Sequence, residues 1–171
     1  MAIVYAAVGP FEPGSGTIRP SARTRVLLVI LMLALAPMSA VAQQCAIQNL
    51  IPVAFGAYDP TAAGPTDING SFEVRCAPRT GYSARISTGA SGSFFPRTLI
   101  QGPNTLAYNL FLEAARVTIW GDGSGGTQVV TVANSGPPGN PVTVTIYGRL
   151  PAGQWVAAGA YADTLVLTIE F

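Results

Sequence analysis

Histidine and lysine are both missing from this 171-residue chain, and charged residues of any kind make up only 10% of it. Without histidine, Ser-His-Asp and Cys-His nucleophile systems are excluded, and so are the usual zinc ligands. With so few charges, electrostatics cannot be the main means of binding. All nine basic residues are arginine; beyond residue 42 six of them face seven acids, and no basic patch for nucleic acid emerges. A sustained 3.6-residue apolar period is also lacking, as is any internal repeat, which argues against a helical or solenoid fold. No apolar run reaches the roughly 20 residues that span a bilayer, so stable membrane insertion is not expected.

The run that comes nearest, Val26 to Ala36, follows Arg19, Arg23 and Arg25 and precedes the small-x-small triplet Ala40-Val41-Ala42. That order is a secretory signal cleaved after Ala42. Gln44 in front of Cys45 is unlike a lipoprotein cleavage site. Residues 1–42 are thus read as a signal peptide with an extended lead, and residues 43–171 as one domain of ordinary size. Met1 to Pro20 carry no pattern of their own; a start codon assigned too early accounts for them equally well. Cys45 and Cys76 both fall beyond the cleavage site, in an oxidising compartment, and an even pair there is most simply a disulfide. Closing that loop is worth about 3.5 to 4 kcal/mol on the chain-entropy account. A redox pair or half a metal site fails on spacing: there is no CxxC, and histidine partners are missing.

The rest is a succession of short alternating segments cut by 19 glycines and 14 prolines. Cys45 to Phe55 puts Ile47, Ile51, Val53 and Phe55 on one face, and Pro52 suits an edge strand rather than a central one. Ile68 to Cys76 and Tyr82 to Ser87 follow as strands, with Gly89 to Pro96 as a loop. Leu106 to Leu112, Arg116 to Trp120, Thr127 to Ala133 and Val142 to Leu150 come next, separated by glycine-rich and proline-rich turns. The last segment, Thr164 to Phe171, alternates Leu165, Leu167, Ile169 and Phe171 with smaller or polar residues. One face of such a strand must be buried. Short strands at this spacing predict an all-β antiparallel sandwich.

Chemistry-bearing candidates are few. Asp122, in the run Gly121 to Gly126, is the best-placed acid, but Asp-Gly and Ser-Gly pairs are what a tight turn requires, and the lysine and helix of a phosphate loop are missing. Asp59 reads as a turn initiator before Pro60, and Asp163 as a strand-start residue. Tyr108, Phe111, Trp120, Tyr147, Trp155 and Tyr161 are spread through strands and read as core rather than as a sugar-stacking surface. No catalytic residue, metal or cofactor is expected, and the protein is not expected to be an enzyme.

Taken in order, Cys45, Phe55-Gly56-Ala57-Tyr58-Asp59-Pro60, Cys76, Arg97, Leu106-Ala107-Tyr108-Asn109-Leu110-Phe111, Trp120-Gly121-Asp122-Gly123, Tyr147-Gly148-Arg149-Leu150-Pro151 and Gly159-Ala160-Tyr161-Ala162-Asp163-Thr164 resemble the spore coat protein U domain. That family includes the subunits of archaic, Csu-type chaperone-usher pili. The resemblance implies an immunoglobulin-like sandwich that lacks its last strand and leaves a hydrophobic groove beside the C-terminal strand. It implies as partners a periplasmic pilus chaperone, an outer-membrane usher and neighbouring pilus subunits, each supplying or exchanging a strand by donor-strand complementation. On this reading Leu165, Leu167, Ile169 and Phe171 form one wall of the groove, and Ile47, Ile51, Val53 and Phe55 the other.

One departure bears on its place in a fibre. A donating subunit needs roughly ten or more alternating residues before its first cysteine, at about 3.3 Å each. Cleavage after Ala42 leaves Gln43 and Gln44. That implies a tip or terminal subunit, acting in surface adhesion and biofilm formation. The alternative is a self-complete secreted coat or cell-surface binding protein that needs no partner strand.

Overall fold

The computed structural model describes the backbone of residues 2–8 together with residues 44–137 and 140–171. The apolar run Val26 to Ala36 and the cleavage site after Ala42 lie outside the described residues. Among the described residues nine strands, β1 (Ala2–Val8), β2 (Gln44–Ile51), β3 (Thr66–Ala77), β4 (Tyr82–Ile86), β5 (Arg97–Gln101), β6 (Asn104–Phe111), β7 (Val130–Val132), β8 (Val142–Leu150) and β9 (Asp163–Glu170), make two sheets. One runs β1-β9-β4-β7 and the other β2-β3-β8-β6-β5. The expected all-β, immunoglobulin-like sandwich is therefore present. Every pairing but one is antiparallel; β1 lies parallel to β9.

Period-two alternation accounts for most of these strands. Phe72, Val74 and Cys76 of β3, Tyr82, Ala84 and Ile86 of β4, and Leu165, Leu167 and Ile169 of β9 all point into one core. At about 2 kcal/mol for each large apolar side chain removed from water, this inner layer is the main favourable contribution to folding. Phe72 and Trp120 stack across the core with centroids 5.8 Å apart, and the Trp120 indole N–H donates to the Ala84 carbonyl at 3.0 Å. The Cys45–Cys76 disulfide bridges directly opposite residues of β2 and β3, as the compartment argument expects.

Several segments depart from simple alternation. Arg97–Gln101 is a strand that the sequence reading passed over, whereas Arg116 to Trp120 forms only isolated bridges through Ile119 and Trp120. Thr127 to Ala133 shortens to the three residues of β7. Met1 to Pro20, read as patternless, contains β1. The first strand ends at Ile51. A bulge between Gln48 and Ile51, with Asn49 at φ 47°, changes which residues face inward. Leu50 packs against the core, and Ile51 turns outward at 58% exposure. Beyond it the chain leaves the sheet and drops Val53 into a hollow over Gly70 and Gly148. A Cβ on Gly148 would sit 2.6 Å from Val53 Cγ1, so glycine is required there.

A buried cation sits between the sheets. Arg97 is fully buried, and its guanidinium donates to the Ser87 carbonyl (3.1 Å), Asn109 Oδ1 (2.7 Å) and the Trp120 carbonyl (2.7 Å), while lying 4.8 Å from the Phe94 ring centroid. Burial pulls its pKa down to about 10, so it remains charged at neutral pH. Three acceptors and a ring face compensate its desolvation. Arg97→Leu should leave those acceptors without donors and destabilise the domain by about 3 kcal/mol, read as a shifted denaturant midpoint. Replacing both cysteines by alanine should cost about 3 kcal/mol by the same measurement.

Candidate functional site

Where β9 meets the opposite sheet, the sandwich has a seam. β9 is bonded to β4 on one side, with Ser83 opposite Glu170 and Ile86 opposite Leu167. Just past the end of β4, the Ser87 N–H donates to the Val166 carbonyl at 3.0 Å, and the Val166 N–H donates to Ser87 Oγ at 3.0 Å. Backbone groups of successive strand residues point to alternate edges. If Val166 faces β4, then the N–H and C=O groups of Leu165, Leu167 and Ile169 face the other edge. These three residues send their side chains into the core at 1% exposure or less. Their backbone polar groups therefore need a partner strand, because orphaned amides in an apolar seam cost about 1–3 kcal/mol each.

That edge carries β1. Ala2 lies opposite Asp163, Val4 opposite Leu165, Ala6 opposite Leu167 and Val8 opposite Ile169. Across the seam stands β2, an edge strand of the second sheet, which β1 also approaches. The start of β9 is anchored by polar groups. Asp163 Oδ2 accepts from the Tyr108 hydroxyl at 2.6 Å, and Oδ1 accepts the Ala90 and Thr164 N–H groups, each at 2.8 Å. Burial and the adjacent Asp163 carboxylate keep the Tyr108 hydroxyl protonated far above the ordinary phenol range. Gly89, at φ 70°, packs so close that any Cβ would collide with the Asp163 carboxylate. Tyr108, Gly89 and Asp163 together set the height at which β9 enters the sheet.

The eight residues expected to line a groove are distributed unevenly. Leu165, Leu167 and Ile169 are buried on β9, and Phe171 packs partly buried just after it. Ile47 is partly buried on β2. Val53 is buried and Phe55 partly so, but both lie beyond the end of β2, and Phe55 meets Tyr108 edge-on at 5.9 Å between centroids. Ile51 is a correction: the bulge turns it to solvent, and Leu50 packs inward instead. Sequence reasoning missed Leu50, since a one-residue bulge reverses the parity of everything after it. Trp155, counted among core aromatics, is 77% exposed. Asp59 and Asp122 are turn formers, each accepting from residues two positions on, Thr61 and Ser124.

A shallow cleft of about 390 Å³ opens at the opposite seam, between β7 and the first half of β8, lined by valines, threonines, Leu112 and Tyr147. No helix among the described residues is long and apolar enough to cross a membrane.

These features define a class: an immunoglobulin-like sandwich whose strand β9 is paired with β4 on one edge and with β1 on the other. The sequence matches the Spore Coat Protein U domain over residues 31–168. It is 31% identical over 134 residues to Protein U of Myxococcus xanthus, covering 68% of this chain and 70% of that protein. The chain belongs to the spore coat protein U domain family. Its fold is similar to that of a chain in the CsuC–CsuE chaperone–tip adhesion subunit pre-assembly complex from the archaic chaperone-usher Csu pili of Acinetobacter baumannii, with a TM-score of 0.50 and 22% identity. That likeness covers 77% of this chain and 40% of the other, so this chain spans about two fifths of its structural neighbour.

Substitutions can separate wall from surface. In a domain whose β9 edge is paired, Leu167→Ala should cost about 3 kcal/mol and Val53→Ala about 2 kcal/mol, whereas Ile51→Ser should stay within about 0.5 kcal/mol. Thermal unfolding of the three variants checks the inward face directly.

Proposed function

We propose that residues 43–171 form a structural subunit of a chaperone-usher pilus, exported through the periplasm to the cell surface and assembled by donor-strand complementation. The observation that carries this reading is the outer edge of β9. Leu165, Leu167 and Ile169 bury their side chains while turning their backbone groups toward an edge whose neighbour is β1. β1 lies upstream of the expected cleavage site, so processing after Ala42 removes it. The exported domain is then left with three amides, three carbonyls and an apolar seam open to water. A strand added from another chain satisfies both, with ladder bonds giving general affinity and alternate side chains filling the seam.

Membership of the spore coat protein U family and a fold like that in the Csu complex support this reading. A periplasmic chaperone, an outer-membrane usher and neighbouring subunits are the partners it requires. On the same cleavage, Gln43 and Gln44 alone precede the disulfide-bonded Cys45, too little to donate a strand of β9's length. A terminal position in the fibre, with a role in adhesion and biofilm formation, is the finer form of the proposal. A second reading rests on β1 itself: a protein that kept Ala2–Val8 would complete its own sheet and act as a self-sufficient coat or surface protein.

Purified residues 43–171, titrated with a cognate chaperone or a subunit donor peptide, distinguish the two. The pilus reading expects low solubility alone and a thermal midpoint that rises by about 10 °C or more with the strand bound, as mass action requires of a ligand specific for the folded state. A soluble monomer indifferent to every donor would leave only the self-sufficient protein.

A further inference from the structure

We propose that Ala2–Val8 is a built-in capping strand, which holds the β9 edge closed in the uncut chain and is lost with the signal segment. The inference rests on the donor-strand reading above and adds to it a switch: the uncut chain is self-complete, and cleavage creates the acceptor.

Three observations converge on it. The first is register. β1 pairs with β9 continuously from Ala2 opposite Asp163 to Val8 opposite Ile169, so it covers the three residues whose backbone groups face that edge. The second is connectivity. β1 ends beside Ile169, and β2 begins with Gln44 opposite Ala77; β4 begins just after Ala77, with Ser83 opposite Glu170. Val8 and Gln44 therefore lie at one pole of the sandwich. The third is composition. Ala2-Ile3-Val4-Tyr5-Ala6-Ala7-Val8 contains no charge, proline or glycine. An uncharged strand of β-branched, aromatic and small residues suits an edge between two apolar layers.

An intramolecular cap also has an entropic advantage. A strand tethered to its own domain acts at an effective concentration of about millimolar or more, so a weak individual fit suffices to keep foreign strands out. Once cut, the same edge is open to any strand that binds better. The parallel direction of β1 defines what the seam accepts in this state.

Amide hydrogen exchange in the oxidised, full 1–171 chain tests the cap against the chain lacking residues 1–8. In the full chain the amides of Leu165, Leu167 and Ile169 should exchange at least about ten-fold more slowly than in the shortened one, while those of Val166 and Thr168, bonded toward β4, should change little. Tyr5→Pro in the full chain removes the ladder donor toward the Leu165 carbonyl without shortening the chain and should give the same selective loss. A peptide of residues 2–8 added to the shortened chain should restore protection, and a peptide of reversed sequence should not. Equal exchange at the three amides in full, shortened and Tyr5→Pro chains overturns the cap. If protection of those amides in residues 43–171 then appears only with a chaperone or subunit peptide, the cap fails and the pilus reading stands. If no strand protects them, both fail.

Discussion

The geometry of an extended strand imposes a double demand on β9. Its residues point side chains alternately up and down, and they point backbone groups alternately left and right, with the same period of two. In β9 the two alternations coincide so that Leu165, Leu167 and Ile169 are inward by side chain and outward by amide. The residues that most stabilise the core are therefore those whose backbone requires a neighbour. The strand cannot be buried without creating an edge that must be covered, and the rest of the molecule is arranged around that edge.

Much of the structure serves to hold β9 at a fixed height and tilt. Asp163 receives three hydrogen bonds at its start, Gly89 leaves room for the carboxylate, and Arg97 locks the carbonyls of Ser87 and Trp120 to Asn109. On the far side of the seam the disulfide pins β2 to β3. Two walls thus flank the position that β1 occupies. Preorganised walls lower the ordering cost of binding, so that an incoming strand loses its own freedom but does not reorder the receiver. Glu170 and Arg85, paired at 2.9 Å, keep the outer face of β9 and β4 polar.

Some of this was legible in the residues before any coordinates. The alternation of β3, β4, β8 and β9, the Cys45–Cys76 pairing and the family resemblance all follow from local pattern, and the structure and the family match bear them out. The misreadings share one physical source. Ile51 has the right parity but stands behind a bulge; Arg97–Gln101 goes unassigned because one of its two buried residues, beside Leu99, is an arginine; Trp155 is aromatic but exposed. In each case residue type and spacing were judged without the neighbour that determines burial. The same holds for Ala2–Val8, whose strand exists only because β9 is there to pair with it.

By itself the sequence determined a disulfide-bonded β-domain without histidine chemistry, with a strand at Thr164 to Phe171 that has one apolar face. Periodicity and composition suffice for that, since burial of a face is a local property of alternation. Tertiary structure alone decided which strand pairs with each edge of that strand, how Val53 and two glycines close one end of the core, and how a buried guanidinium is satisfied. Those depend on pairings between residues far apart in the chain, and hydrogen-bond partners across a sheet leave no trace in the order of residues along it.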